Sequence, residues 1–367
     1  MSDWSHLEEF RVVRLNAVLS PMSLYERDRF REHHLRPFEV EANTPSTIIP
    51  RVADYDAIFV VSTALPEGVI ESLSRCRVIS RLGTGTDKID VAAATRKGIL
   101  VTNVPTFCVE EQADHTMALL LALHRKLPQM SAAMAAGAWN KARRQASTNQ
   151  RLDGRVLGLV GFGNSARAVA RRAKGFGYRV IATRRNMAAP TEAANELGVE
   201  IMGLEDLLRE SDDVSLHLPL TDETYHLLDE TMLRKMKPGA YLVNTSRGAI
   251  VDEKTLVKLL KEGTLAGAGI DTFEDIDVFV EEEGPPDHPL LSLDNVILSP
   301  HVGAISVQAM QDVTNGGIAN AAAVLSGYWP PAENLVNPDV VPRFPLAGRE
   351  KKPDLPAHTC TTKAVEP

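Results

Sequence analysis

The stretch from Arg155 to Arg185, RVLGLVGFGNSARAVARRAKGFGYRVIATRR, restricts the fold more than any other part of the chain. An apolar run, Val156 to Val160, enters Gly161-Phe162-Gly163. Asn164 and Ser165 open an Ala/Arg-rich segment punctuated by Gly175 and Gly177, and a second apolar run covers Tyr178 to Thr183. The spacing predicts strand, tight turn, helix and strand: a βαβ unit with a Gly-x-Gly-x-x-Ala fingerprint in its first turn. Gly161 and Gly163 let the backbone turn sharply and approach a pyrophosphate, whose charge then sits at a helix N-terminus. Ala166 keeps the third position small where helix and strand pack. The motif alone is weak; flanked by two strands and a helix of the right length, it points to a nucleotide.

The same alternation runs through the rest of the chain. Strands are expected in FRVVRLNAVLS (Phe10 to Ser20), YDAIFVVST (Tyr55 to Thr63), RVISRL and ILVTNV, with helices between them. A charged helical stretch follows Ser23, and on it the neighbouring His33 and His34 are read as part of a solvated face. Pro105 marks a boundary. A long helix follows, interrupted only at Pro128, with Trp139 packing where it ends. After the fingerprint unit, DDVSLHLPLT, AYLVNTSRG, LAGAGIDTF and NVILSPH continue a doubly wound sheet of about six strands. Ligands of such sheets sit beyond the carboxyl ends of the strands. Thr84, Gly85, Leu218, Arg247, Asp271 and His301 all fall there. From Gly303 a helix is expected to return the chain to the first domain, and a Pro/Lys/Thr-rich tail from Phe344 onward is expected to be disordered.

At 367 residues the chain has room for two domains, and 44% apolar with 24% charged residues is ordinary for a soluble globular protein. A net charge of -8 with no basic block argues against nucleic acid or acidic membranes as partners. Cys76, Cys108 and Cys360 are far apart and odd in number, which suggests neither a disulfide framework nor a metal site. The N-terminus lacks a basic region followed by an apolar one, and no apolar run could span a bilayer. A cytoplasmic protein is the expectation.

The segments RLGTGTDKIDVAAATRKGILVTNVP, GLVGFGNSA, VSLHLPLTDETYHLL, KPGAYLVNTSRGAIVDEKTLVKLL, AGAGIDTF and HPLLSLDNVILSPHVGA, taken together, resemble the D-isomer-specific 2-hydroxyacid dehydrogenase family over nearly the whole chain to about residue 340. The resemblance implies an α/β protein of two Rossmann-like domains with parallel doubly wound sheets, one flavodoxin-like and one NAD(P)-binding. Residues 1–105 would begin the substrate domain, 106–303 would form the nucleotide domain, and 304–343 would return to the first. It also implies a homodimer and hydride transfer between a nicotinamide and the C2 carbon of a small 2-oxo or 2-hydroxy acid.

Within that resemblance, Arg247 in NTSRG fits a guanidinium fork that grips the substrate carboxylate and polarises the carbonyl. His301 in SPHVG fits the general acid/base, its pKa lying near neutral. Thr84 and Gly85 match the loop that holds substrate carboxylate or nicotinamide. Asp271 matches a carboxylate facing the nicotinamide amide, and Asn164, Ser165, Leu218 and Thr245 match positions lining the cofactor. Arg81, Leu82 and residues 104–107 would set selectivity.

The chain departs from the family pattern twice. The acidic residue that binds a ribose 2′-hydroxyl is replaced by Arg184, followed by Arg185; a guanidinium attracts a 2′-phosphate, so NADP is expected over NAD. The glutamate that would orient His301 is also displaced, since Ile276 stands five residues after Asp271. Glu274 is the first candidate, and Glu282 or Glu283 the alternatives if the register is anchored on DHPLL. The leading reading is a glyoxylate/hydroxypyruvate reductase-like enzyme. A nucleotide-sensing protein or corepressor on the same fold is the alternative, against which Arg247 and His301 together weigh.

Overall fold

The computed structural model describes residues 5–16, 18, 20–274, 276–279 and 287–347. The chain divides into two compact units, Met1–Phe107 with Met310–Pro367, and Cys108–Ala309.

The first unit holds five parallel strands, β1 (Val12–Leu15), β2 (Phe38–Val40), β3 (Ala57–Val60), β4 (Val78–Arg81) and β5 (Leu100–Thr102), in the order β2-β1-β3-β4-β5. This is the flavodoxin-like order, reversing between β1 and β3. Successive side chains enter opposite cores. Val12, Phe59, Val78 and Leu100 meet Phe30, Ile318 and Ala321 on one face, while Val13, Ile58, Ile79 and Val101 meet Ile48, Val69 and Ala93 on the other. Because both faces are covered, the strands read as continuous apolar runs rather than alternating ones. The charged helix stops at Glu32, and β2 follows at Phe38. His33 is a correction: it is 6% exposed, with Nδ1 bonded to the Arg29 carbonyl, because it caps that helix from inside. Phe344 and Leu346, assigned above to a structureless tail, pack against the first core, and Ala347 bridges to Tyr328. The rest of that tail lies outside the described residues.

The second unit holds seven parallel strands: β6 (Val156–Val160), β7 (Arg179–Thr183), β8 (Glu200–Ile201), β9 (Asp213–Leu216), β10 (Tyr241–Asn244), β11 (Gly267–Ile270) and β12 (Val296–Leu298). Their order is β12-β11-β10-β9-β6-β7-β8, so the winding reverses between β6 and β9. The long helix expected before this sheet is three helices, Val109–Arg125, Leu127–Ala135 and Trp139–Gln145. The first break is at Lys126, whose φ of 52° is left-handed, and not at Pro128. Pro128 lies in the first turn of the next helix, where a missing N–H is tolerated. Trp139, expected to pack, is 66% exposed. Among the described residues no helix is long and apolar enough to cross a membrane.

Candidate active site

All seven strands of the second unit run in the same direction, so the segments that follow them share one edge of the sheet. On that edge lie Gly161 and Gly163 after β6, Arg184 and Arg185 after β7, and Leu218 after β9. Thr245 and Arg247 follow β10, Asp271 and Glu274 follow β11, and His301 follows β12. Thr84 and Gly85 belong to the first unit, after β4. There the Thr84 hydroxyl donates to the Val104 carbonyl at 3.3 Å, and the Arg81 Nε donates to the Gly85 carbonyl at 3.0 Å.

The glycine turn fits a dinucleotide. Gly161 has φ +100°, and a Cβ there would lie 2.3 Å from the His217 carbonyl oxygen, so no other residue suits the turn. A Cβ at Gly163 would meet nothing within 4 Å, which leaves open space in front of the helix Asn164–Gly175. Gly163 caps that helix without a side-chain bond, so its first amides keep their donors and the positive end of the dipole faces outward. A pyrophosphate is the group such a cradle takes. Ser165, in the first turn, bonds to Nδ1 of His217 at 3.3 Å, and Nε2 of His217 is 3.0 Å from the Ser215 hydroxyl. Burial pushes the His217 pKa down to about 4, so the imidazole beneath the turn is neutral. The sequence reading passed over this histidine; its only signal was its place two residues after Ser215 at the end of a strand.

Arg184 folds onto the loop that follows β7, donating to the carbonyls of Pro190, at 2.9 Å, and Ala189. Arg185 is exposed, 3.4 Å from Glu223. Both cations therefore stand at the end of β7, and Arg184 is held there by the backbone.

Arg247 is half-buried; its Nη1 donates to the Ser246 carbonyl at 2.7 Å, and its own carbonyl accepts from the Asn244 side chain at 2.8 Å. These bonds fix the loop that presents the guanidinium. His301 has φ 56°, in the left-handed region, and its N–H donates to the Asp271 carbonyl at 2.8 Å. The ring of Phe279 lies edge-on to the imidazole, centroids 5.4 Å apart.

Asp271 is 1% exposed, its carboxylate held by the loop around His301. Its Oδ1 accepts from Ser299 at 2.6 Å and the Val302 N–H at 3.0 Å, and its Oδ2 from the Gly303 N–H at 2.9 Å. Burial would raise its pKa, but bonds from His115, Ser299 and the two amides outweigh that and hold the carboxyl below its ordinary range. Glu274, first candidate for the partner of His301, instead bonds through Oε1 to Nε2 of His226 at 2.5 Å and to the Tyr225 hydroxyl at 3.3 Å. Its N–H is pinned to Glu253, which turns the side chain toward the β9–β10 connection. Glu282 and Glu283 lie outside the described residues.

Residues 117–303 match the model of the D-isomer specific 2-hydroxyacid dehydrogenase NAD binding domain. A glyoxylate reductase of Korarchaeum cryptofilum is 44% identical over 299 residues, covering 80% of this chain and 86% of its own. An NADPH-dependent glyoxylate/hydroxypyruvate reductase of Sinorhizobium meliloti, solved with NADP and malonate, superposes with a TM-score of 0.77 at 29% identity, over 92% of this chain and 100% of its own. A D-lactate dehydrogenase of Aquifex aeolicus, solved with NAD and lactic acid, gives 0.77 at 25% identity, over 89% and 99%. The chain belongs to the D-isomer specific 2-hydroxyacid dehydrogenase family and is an NAD(P)-dependent oxidoreductase.

Proposed function

We propose that the protein is an NADP-preferring reductase of a small 2-oxo acid of the glyoxylate or hydroxypyruvate type, with Arg247 binding the carboxylate and His301 acting as general acid. The observation that carries this is the gathering of the glycine cradle, Arg247 and His301 on one edge of a single sheet. When bound, the nicotinamide supplies the hydride for the carbonyl carbon. Arg247 holds the carboxylate through its planar fork and draws charge toward the carbonyl oxygen. His301 delivers a proton to that oxygen, completing a 2-hydroxy acid, and takes it back in the reverse direction. Thr84 and Gly85 take the substrate-holding role that the family resemblance gives them, and Glu282 or Glu283 orients the imidazole.

The preference for NADP follows from Arg184, a cation held by backbone carbonyls where an NAD enzyme needs an acid. Arg185 adds a second positive charge. Comparison of kcat/KM for NADPH and NADH with glyoxylate, hydroxypyruvate and pyruvate tests both parts. We expect NADPH to be favoured at least about tenfold and Arg184→Asp to reverse the order. Equal or better turnover with NADH would remove the cofactor assignment, and no oxidation of either cofactor would favour the nucleotide-sensing alternative. A homodimer completes the proposal. The helix Leu127–Ala135 buries none of its residues, and its Leu127 and Met134 with nearby Trp139 expose an apolar surface for a second copy.

A further inference from the structure

The helix Val109–Arg125 opens the second unit, directly after the chain leaves the first. Two adjacent stripes on its N-terminal half, each with i, i+4 spacing, touch different loops. On one stripe the Gln112 side chain donates to the Thr245 carbonyl at 2.9 Å, and the Thr116 hydroxyl lies 3.2 Å from that of Thr245, two residues before Arg247. On the other, Glu111 accepts from the Ser306 hydroxyl at 2.6 Å, and Nε2 of His115 lies 2.8 Å from the Ser299 hydroxyl. Residues 299 and 306 bracket His301.

The second stripe feeds a directed chain of hydrogen bonds. Ser299 gives its single proton to Asp271, so it accepts from His115, whose Nε2 also lies 3.4 Å from the Asp271 carboxylate. Asp271 in turn takes the amides of Val302 and Gly303 on its carboxylate and that of His301 on its carbonyl. A Cβ at Gly303 would lie 2.9 Å from the Asp271 carboxylate and 3.3 Å from the His115 ring, so the turn closes tightly on the pair. A histidine at φ 56° is an uncommon conformation, and such residues persist only where their surroundings over-determine them. His115 is the outermost member of what holds it.

We propose that this helix sets the position of both reacting side chains, with Gln112 positioning the Arg247 loop and His115 positioning the His301 turn. The inference rests on the roles given above to Arg247 and His301. Neither Gln112 nor His115 reacts; each acts through the backbone it holds.

The test uses the full-length protein with glyoxylate and NADPH. Small misplacement of a reacting group lowers rate steeply, so His115→Leu should lose about tenfold or more in kcat with little change in KM. Gln112→Leu should instead raise KM for glyoxylate, since it loosens the carboxylate grip. NADPH affinity, read by fluorescence titration, stays near wild type in both. His115→Gln, which keeps a donor, restores much of kcat. Ser299→Ala lowers kcat in the same direction as His115→Leu, and the double variant loses less than the sum of the two, because both act on the Asp271 carboxylate. If His115→Leu melts below the assay temperature, Ser299→Ala and His115→Gln carry the comparison. Hydrogen exchange at the Val302 and Gly303 amides should accelerate in His115→Leu whether or not glyoxylate is the substrate. Wild-type exchange at those amides, or wild-type kcat and KM in both leucine variants, would overturn the inference. A wild-type protein that reduces no 2-oxo acid would sink the functional reading alone, leaving the exchange result to decide the positioning role.

Discussion

His217 shows what a single residue contributes below the nucleotide turn. Its folded pKa is depressed to about 4 by burial, against an ordinary value of 6.5. The native state therefore resists protonation that the unfolded state accepts. The stability His217 gives is complete above pH 6.5, declines as the pH falls and is gone below about 4, a loss of about 3 kcal/mol. Thermal melts between pH 7 and 4 should show a steep acid limb that His217→Asn flattens; an unchanged limb would mean that other groups set it. At this scale the sequence was partly readable. Arg184 stood out because a carboxylate was expected at the end of β7, and Arg247 and His301 because each sat in a recurrent segment. The bonds that hold the Asp271 carboxylate were not readable, since they depend on Ser299 and two amides that only the folded loop brings together. The bond from His226 to Glu274 is equally non-local, joining residues 48 apart.

Among elements, the turn between β6 and the helix Asn164–Gly175 separates folding from binding at two neighbouring glycines. Gly161→Ala adds a Cβ against the His217 carbonyl at φ +100°, and should cost about 1–3 kcal/mol of stability as well as cofactor affinity. Gly163 has φ -84° and open space in front of it. Gly163→Ala should therefore leave the melting temperature within about a degree or two while weakening NADPH binding, because the methyl enters the space a phosphate needs. Calorimetry and titration on the two variants check the contrast, and equal effects on both quantities would refute it. The βαβ unit was legible because a strand of five residues, a glycine turn and an amphipathic helix each carry a local signal. The strands β2 and β8, of three and two residues, carry too little periodicity to stand out, and β8 pairs only at the sheet edge. The break at Lys126 was hidden because a left-handed lysine has no sequence signature, whereas Pro128 has a conspicuous one.

Across the whole molecule, the two helices within Leu127–Gln145 are where the proposed self-association is tested. Leu127 is 52% exposed and Met134 42% exposed, and changing both to Glu should shift the protein from dimer to monomer in sedimentation velocity without altering either sheet. A wild-type protein that sediments as a monomer would remove this reading. The domain plan was legible in outline from the βα alternation, from Pro105 and from the helix expected to return the chain after Gly303, but the packing of Phe344 and Leu346 against the first core was not. Ile318, Ala321, Val340 and Phe344 fill one side of the first sheet, and Gly98 lies so close to the Val341 carbonyl that a Cβ would come within 2.7 Å of it. That closure has a temporal side. The second unit is one continuous segment, Cys108–Ala309, and can complete its core as soon as it has left the ribosome. The first unit cannot complete the core around Phe59 and Val78 until the returning residues 310–347 have been made, so its early strands mature after the second unit has closed.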